Sequence, residues 1–266
     1  MSMVKFFPEG WDYDTNQLTK DNIYNAINTN QVLQGRVYDC DDKYNLHVTF
    51  GNGLNGIIPR EEIEAINLND NGFPKESLCI GKVNKFVQFK VKSIEEDNIL
   101  LSRKDVQKDA LSWIKRDMQE GQEVCGIVKN IKPYGAFVEI GGGVVGLAHI
   151  EDLSVARIKS PFERLKIGQK INIMVKCIDR DNGKVILSYK ELLGTWEENI
   201  KNFEEGTKVK GIVRETEKNK NGIFIELAPN LVGMAEYKEN LKYGQNVNVY
   251  IKKIIPEKKK IKLVII

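Results

Sequence analysis

Residues 121–153 read GQEVCGIVKNIKPYGAFVEIGGGVVGLAHIEDL, and the rest of the chain can be parsed from this stretch. Val124, Gly126 and Val128 alternate with Cys125 and Ile127, the two-residue period of a half-buried strand. A second strand, Phe137-Val138-Glu139-Ile140, runs into Gly141-Gly142-Gly143, and a third follows through Gly146-Leu147-Ala148-His149. The triple glycine reads as a hairpin turn; no helix start and no Lys-Ser/Thr follows it, as a phosphate-binding loop would require.

The same pattern occurs three times. One further copy begins at Gly206, GTKVKGIVRETEKNKNGIFIELAPNLVGMAEY, and a more worn one at Gln31, QVLQGRVYDCDDKYNLHVTFGNGLNGIIPREEI. Gly35, Gly126 and Gly211 align, as do Val37, Val128 and Val213, and then Gly56, Gly146 and Gly233. The later parts repeat too: Val91 to Glu95, Val175 to Asp179 and Ile251 to Ile255, each followed by a closing strand at Asn98–Ser102, Lys184–Ser188 and Lys260–Val264. Asp181-Asn182-Gly183-Lys184 carries the Asn-Gly pair of a two-residue hairpin, which needs positive φ angles. Short, evenly spaced strands with glycine turns argue for a small closed barrel in each copy, since closure removes exposed sheet edges. A glycine inside each first strand suits the bend of such a barrel.

The chain therefore divides into an N-terminal extension, 1–29; a degenerate barrel, 30–104; a helical linker, 105–119; the best-patterned barrel, 120–190; a helical linker, 191–203; and a second degenerate barrel, 204–266. Leu193, Trp196, Ile200 and Phe203 share one helix face, and Val106, Ala110, Trp113 and Asp117 follow the same rhythm beside a second stripe, Leu111, Ile114 and Met118. These helices are expected to pack a tryptophan on a barrel end and set the spacing of neighbours; a partner-binding helix is the sharper alternative. The extension holds Phe6, Phe7, Trp11 and Tyr13 with little periodicity, and a short helical candidate lies near Lys20 to Ile27.

The chain is 266 residues long, with 40 Lys and Arg against 37 Asp and Glu, so its formal charge is +3. That excludes a histone-like or supercharged basic protein, but not nucleic-acid binding through a local basic stripe. Charge climbs along the chain: about −1 over 30–104, +2 over 120–193 and +5 over 204–266. Apolar residues at 41% and charged residues at 29% fit a globular chain. The opening MSMVKFFPEGWDYD lacks the basic flank and apolar core of a secretory signal, and no apolar run is long enough to span a membrane. Cys40, Cys79, Cys125 and Cys177 form no CxxC pair, so buried, reduced thiols are expected rather than zinc, and no cofactor is expected. His47 and His149 stand in unlike settings, without a Ser/His/Asp order or a metal-ligand cluster, so the chain is not expected to be an enzyme.

The GxV start, the YGAFV strand, the GLAHI strand and the DRDNGKVILS hairpin occur in the order and spacing of the S1 RNA-binding domain, which the middle copy resembles over about seventy residues. The outer copies match in skeleton. The resemblance implies an all-β chain of three tandem five-stranded OB-fold barrels joined by short helices, binding single-stranded RNA. It places Tyr134, Phe137, His149, Asp179 and Lys184 on the nucleic-acid face: Tyr134 and Phe137 to stack bases, His149 to stack or hydrogen-bond. Asp179, being acidic, would bond a base or ribose hydroxyl or orient Arg180; Lys132, Arg157 and Lys159 would line the phosphate path. Single strands are held in this way, by aromatic faces set among cations. Gly135 lets Tyr134 sit in the turn and curl onto the face of Phe137.

The outer copies depart from the pattern. Tyr44 is kept in the first, but His47 replaces Phe137 and Pro59 replaces His149. In the third, Phe224 is kept, while Asn221, Glu236 and Ile255 replace the tyrosine, histidine and aspartate. Tyr44, His47, Phe224, Lys252 and Lys253 are therefore auxiliary contacts, and the middle copy the principal reader. The family implies a non-catalytic cytoplasmic protein of translation that binds mRNA, with single-stranded RNA and the small ribosomal subunit as partners and no small-molecule substrate. A regulator of transcription or RNA turnover, and a protein-docking scaffold, stand as alternatives.

Overall fold

The computed structural model describes residues 6–11, 18–66, 68–95, 98–216 and 222–266. It contains three closed five-stranded barrels. The first is built from β1 (Leu33–Cys40), β2 (Leu46–Thr49), β3 (Asn55–Ile58), β4 (Phe86–Glu95) and β5 (Asn98–Ser102). The middle barrel comprises β6 (Glu123–Lys132), β7 (Gly135–Gly141), β8 (Val144–His149), β9 (Lys170–Asp179) and β10 (Lys184–Ser188). The third comprises β11 (Lys208–Thr216), β12 (Ile223–Ala228), β13 (Leu231–Ala235), β14 (Asn246–Ile255) and β15 (Lys260–Ile265). Each has the same circular strand order, first-second-third-fifth-fourth, with the third and fifth strands parallel.

Alternation builds these barrels. Along β14 the odd-numbered Val247, Val249 and Ile251 point inward and Asn248, Tyr250 and Lys252 outward. Bulges recur at equivalent places, between Val37 and Asp39 and between Val213 and Glu215, then between Val91 and Ser93 and between Ile251 and Lys253. An extra residue there lets a strand turn round a tight barrel. In the two outer barrels the first-strand glycine answers to close approach rather than to positive φ: a Cβ at Gly211 would lie 2.4 Å from Ile225 Cγ2, and one at Gly35 2.7 Å from Val48 Cγ1.

The Asn-Gly hairpin departs from expectation. Four residues, Arg180 to Gly183, separate β9 from β10, and Gly183 alone among them has positive φ (66°). Asp179 accepts hydrogen bonds from Asn182 N–H at 3.1 Å and Asn182 Nδ2 at 2.8 Å, and this side-chain closure replaces the two-residue turn. The triple glycine is the hairpin turn it reads as, with Gly142 and Gly143 at φ 57° and 74°.

The helices belong to the barrels rather than merely linking them. α1 (Lys20–Thr29), capped by Thr19, buries Ile23 and Ala26 in the core of the first barrel, with Leu46, Val48, Ile58 and Phe89. The short α2 (Glu76–Ile80) buries Cys79 in that core. α3 (Arg103–Arg116) buries Val106, Ala110, Trp113 and Ile114, while Asp117 caps its end instead of joining the stripe. The predicted 191–203 helix is broken by Gly194 (φ 78°) into a 3-10 turn, Lys190–Leu193, and α4 (Trp196–Ile200). Trp196, Ile200 and Phe203 nonetheless pack on the core of the third barrel, with Val213, Ile225 and Val249.

The chain clusters into two compact units whose border runs through the middle barrel: Val138–Gly146 and Ile178–Val185 group with the first barrel, and the rest of the middle barrel with the third. In the first unit, Phe6 of the extension packs on Trp113 with ring centroids 5.9 Å apart, and Glu9 joins a buried cluster with Arg103. In the second, Arg164 and Arg214 both bind Glu226, and Arg214 also binds Glu163. Buried thiols hold for Cys79 alone; Cys40 and Cys125 are half-buried and Cys177 is exposed. Among the described residues no helix is long and apolar enough to cross a membrane.

Candidate nucleic-acid interface

The two-residue connection between β6 and β7 carries Tyr134. Its backbone is tied down, since its carbonyl accepts the Ile150 N–H at 2.9 Å. Gly135, next in the chain, lies so close to β8 that a Cβ would stand 2.5 Å from the Ala148 oxygen. This pinch brings Tyr134 over to Phe137, which a plain strand would turn the other way. Their rings meet edge to face, centroids 6.0 Å apart and planes at 82°, and Tyr134 is 50% exposed. A T-shaped pair is the edge-to-face arrangement that ring quadrupoles favour, and it leaves the exposed ring surface open to a flat aromatic partner.

His149 ends β8 and caps the 3-10 turn Ile150–Asp152, its Nδ1 accepting from the Glu151 N–H at 3.5 Å. Nδ1 also lies 3.8 Å from the Glu151 carboxylate, and the side chain is 44% exposed. Pro59 caps the equivalent turn, Arg60–Glu62, of the first barrel. Lys132, Arg157 and Lys159 are all exposed. Lys159 is already engaged: its ammonium lies 4.3 Å from the Tyr243 ring centroid, and its N–H bonds the Tyr243 hydroxyl and Glu163.

The hairpin residues fall in the other unit, and the structure gives two of them local duties. Asn182 holds the Asp179 carboxyl below its ordinary range, with Lys184 adding to the effect. Asp179 therefore does not orient Arg180. The Arg180 guanidinium instead donates to the Lys115 carbonyl at 2.7 Å and the Met118 carbonyl at 2.9 Å, capping the end of α3, where carbonyls lack helical partners. Lys184 is exposed.

In the outer barrels the auxiliary residues differ in fate. Tyr44 is half-buried against the first core, with the Arg60 guanidinium 4.7 Å from its ring centroid and its hydroxyl bonded to Glu76, which raises its pKa. It is no open platform. His47 lies beside Asp41, Nε2 to Oδ2 3.4 Å, and 6.0 Å from the ring of Tyr38, an exposed side chain absent from the contacts that the resemblance implies. Tyr38 points outward as the extra residue of the β1 bulge, next to inward Val37. Phe224 is half-exposed opposite Met234; Lys252 and Lys253 are exposed at the β14 bulge. Asn221 lies outside the described residues.

Closed five-stranded barrels of this strand order make the chain OB-like, and the middle one bears a half-exposed ring pair. The family model described as S1 RNA binding domain matches residues 117–190, the stretch that takes in the middle barrel. Small ribosomal subunit protein bS1 of Staphylococcus aureus (strain MRSA252) is 34% identical over 195 residues, covering 66% of this chain and 49% of that protein. The bS1 protein of Coxiella burnetii is 28% identical over 231 residues, covering 80% of this chain and 40% of that one. The chain thus spans about half the length, or less, of these curated relatives. Among solved structures, GSP13 from Bacillus subtilis is 29% identical, covering 29% of this chain and 58% of that one, with a TM-score of 0.28.

Proposed function

We propose that this chain is a non-catalytic, single-stranded RNA-binding homologue of ribosomal protein bS1, acting on mRNA at the small ribosomal subunit in the cytoplasm. The middle barrel is the principal reader. The observation that carries this reading is the Tyr134–Phe137 pair, held edge to face at 6.0 Å with Tyr134 half exposed. Two rings so fixed offer stacking surfaces worth about 1–3 kcal/mol per base, without regard to sequence. His149 Nε2 supplies a hydrogen bond to a base edge or ribose hydroxyl, Asp179 a second acceptor, and Lys132, Arg157, Lys159 and Lys184 the phosphate attraction. Arg180 contributes by fixing the hairpin to α3.

The outer barrels serve differently in this account. The first has its kept tyrosine covered by Arg60, and the third contacts the middle barrel through Arg164, Glu226, Arg214 and Glu163. Both therefore act chiefly in spacing and docking, with auxiliary RNA contact. The test is binding to unstructured single strands against duplex RNA over a salt series, with capture of small ribosomal subunits before and after ribonuclease treatment. Single-strand preference with steep salt dependence supports the RNA reading; capture that survives ribonuclease supports the ribosomal one. No binding at low salt would sink both.

A further inference from the structure

The third barrel has an outward surface that takes in the auxiliary Lys252 and Lys253 and reaches well beyond them. On β14, Tyr250 points outward, 36% exposed, and pairs directly with Lys208 on β11 and Val264 on β15. Lys210, two residues along β11, pairs with Asn248, the residue two before Tyr250 on β14. Lys252 follows two after it, and at the bulge Lys253 pairs with Lys262 of β15. One ring is thus framed by Lys208, Lys210, Lys252, Lys253 and Lys262, all exposed. None of the five has an ion-pair partner among the described residues. The acidic neighbour is Glu205, whose carboxylate is taken by the Ile254 N–H at 2.6 Å.

Two features mark this face as built for an anion. Like charges directly opposite across a sheet are destabilising, yet Lys253 and Lys262 stand opposite each other. The equivalent face of the first barrel is also covered by its own chain. There Gln88 donates Nε2 to the Phe7 carbonyl at 3.1 Å, its N–H goes to Glu9 at 3.1 Å, and Lys90 binds Asp109 of α3. Asn248 and Tyr250, which align with Gln88 and Lys90, have no such cover among the described residues.

We propose that the outward face of β11, β14 and β15 is a second single-stranded RNA surface, on which Tyr250 stacks a base and the five lysines neutralise the flanking phosphates. It rests on the RNA-binding reading above and extends the path of a strand from Phe224 and Met234, which stand beside Lys262, across β15 and β14 to Tyr250.

The test uses the full chain and labelled oligouridine. Each phosphate contact on a single strand adds roughly 0.7 to the slope of log affinity against log salt. A variant carrying Lys208→Ala, Lys210→Ala, Lys252→Ala and Lys262→Ala should lose about 2 to 3 of that slope, with unfolding temperature unchanged or raised because the repulsion is gone. Tyr250→Ala should weaken binding about tenfold, and ultraviolet cross-linking of the parent should mark the Tyr250 peptide. A parent that binds no oligouridine at low salt overturns the RNA reading and this proposal together. A parent that binds, a lysine variant with unchanged slope and no cross-link at Tyr250 overturn this proposal alone and leave the face to a protein segment.

Discussion

Glu9 and Arg103 hold each other in the protein interior: Nε and Nη2 of the guanidinium donate to the two carboxylate oxygens at 2.6 and 3.1 Å. Their side chains are 5% and 2% exposed. Arg103 Nη1 also meets Glu64 at 2.9 Å and the Ile63 carbonyl at 3.0 Å, and the Glu9 N–H goes to Glu139 of β7 at 2.8 Å. A stretch of six described residues thereby becomes a structural part of the first unit. Removing one member of a buried, fully bonded ion pair strands the other charge and costs about 3–5 kcal/mol. Arg103→Ala should lower stability by that order, and Glu9→Ala should lower it nearly as much, read by thermal or denaturant unfolding. Loss below about 1 kcal/mol for both would mean that the cluster behaves like a surface pair.

The same pair fixes a pH response. Burial pushes the Glu9 carboxyl up, but the Arg103 guanidinium overrides it and holds the pKa at about 2, against an ordinary 4.5. A folded-state pKa below the unfolded value means stability fully present above pH 4.5 and lost as pH falls toward 2. Hydrogen exchange at Gln88, whose N–H donates to Glu9 at 3.1 Å, should therefore accelerate through that window, and this extra acid sensitivity should vanish in Glu9→Gln.

The first-strand glycines make a packing prediction. A methyl at position 211 would meet Ile225 Cγ2 at 2.4 Å and the Glu226 oxygen at 3.2 Å. Overpacking of this kind costs about 1–3 kcal/mol, so Gly211→Ala should lower the unfolding temperature, whereas Lys210→Ala, exposed next to it, should not.

Between the middle and third barrels, Arg214 is 4% and Glu226 6% exposed, and Arg164 shares the same carboxylate. Nearby, the Val155 N–H donates to Asn230 at 3.1 Å and the Ala156 N–H to the Pro229 carbonyl at 3.0 Å. Arg214→Ala should release this contact, with faster exchange at the Val155 and Ala156 amides and little change at the Val87 amide of the first barrel. Uniform acceleration across all three barrels would instead signal global unfolding.

What could be read from residues alone followed locality. Val124-Gly126-Val128, its two repeats and the closing strands are patterns within a few residues, and the barrels formed where those patterns ran. The Tyr134–Phe137 approach was legible because Gly135 lies between them. Partners set across the fold were not. Arg180 sits in a hairpin that looks solvent-facing in sequence, yet it caps α3; Tyr44 keeps the family's residue type, yet Arg60 covers it. The extension lacks periodicity because its bonds run to Gln34, Gln88, Arg103 and Glu139 rather than along itself. Tyr250 carries no local signal because its surroundings come from three strands brought together by closure.

The central claim is that the middle barrel reads single-stranded RNA through Tyr134, Phe137 and His149. The most direct measurement is the affinity of Phe137→Ala/His149→Ala for poly-U beside the parent at one low salt concentration, with circular dichroism and unfolding temperature recorded for both. Loss of one stacked base and one hydrogen bond predicts at least about tenfold weaker binding with the barrel intact. Equal affinity in a folded variant would contradict the account.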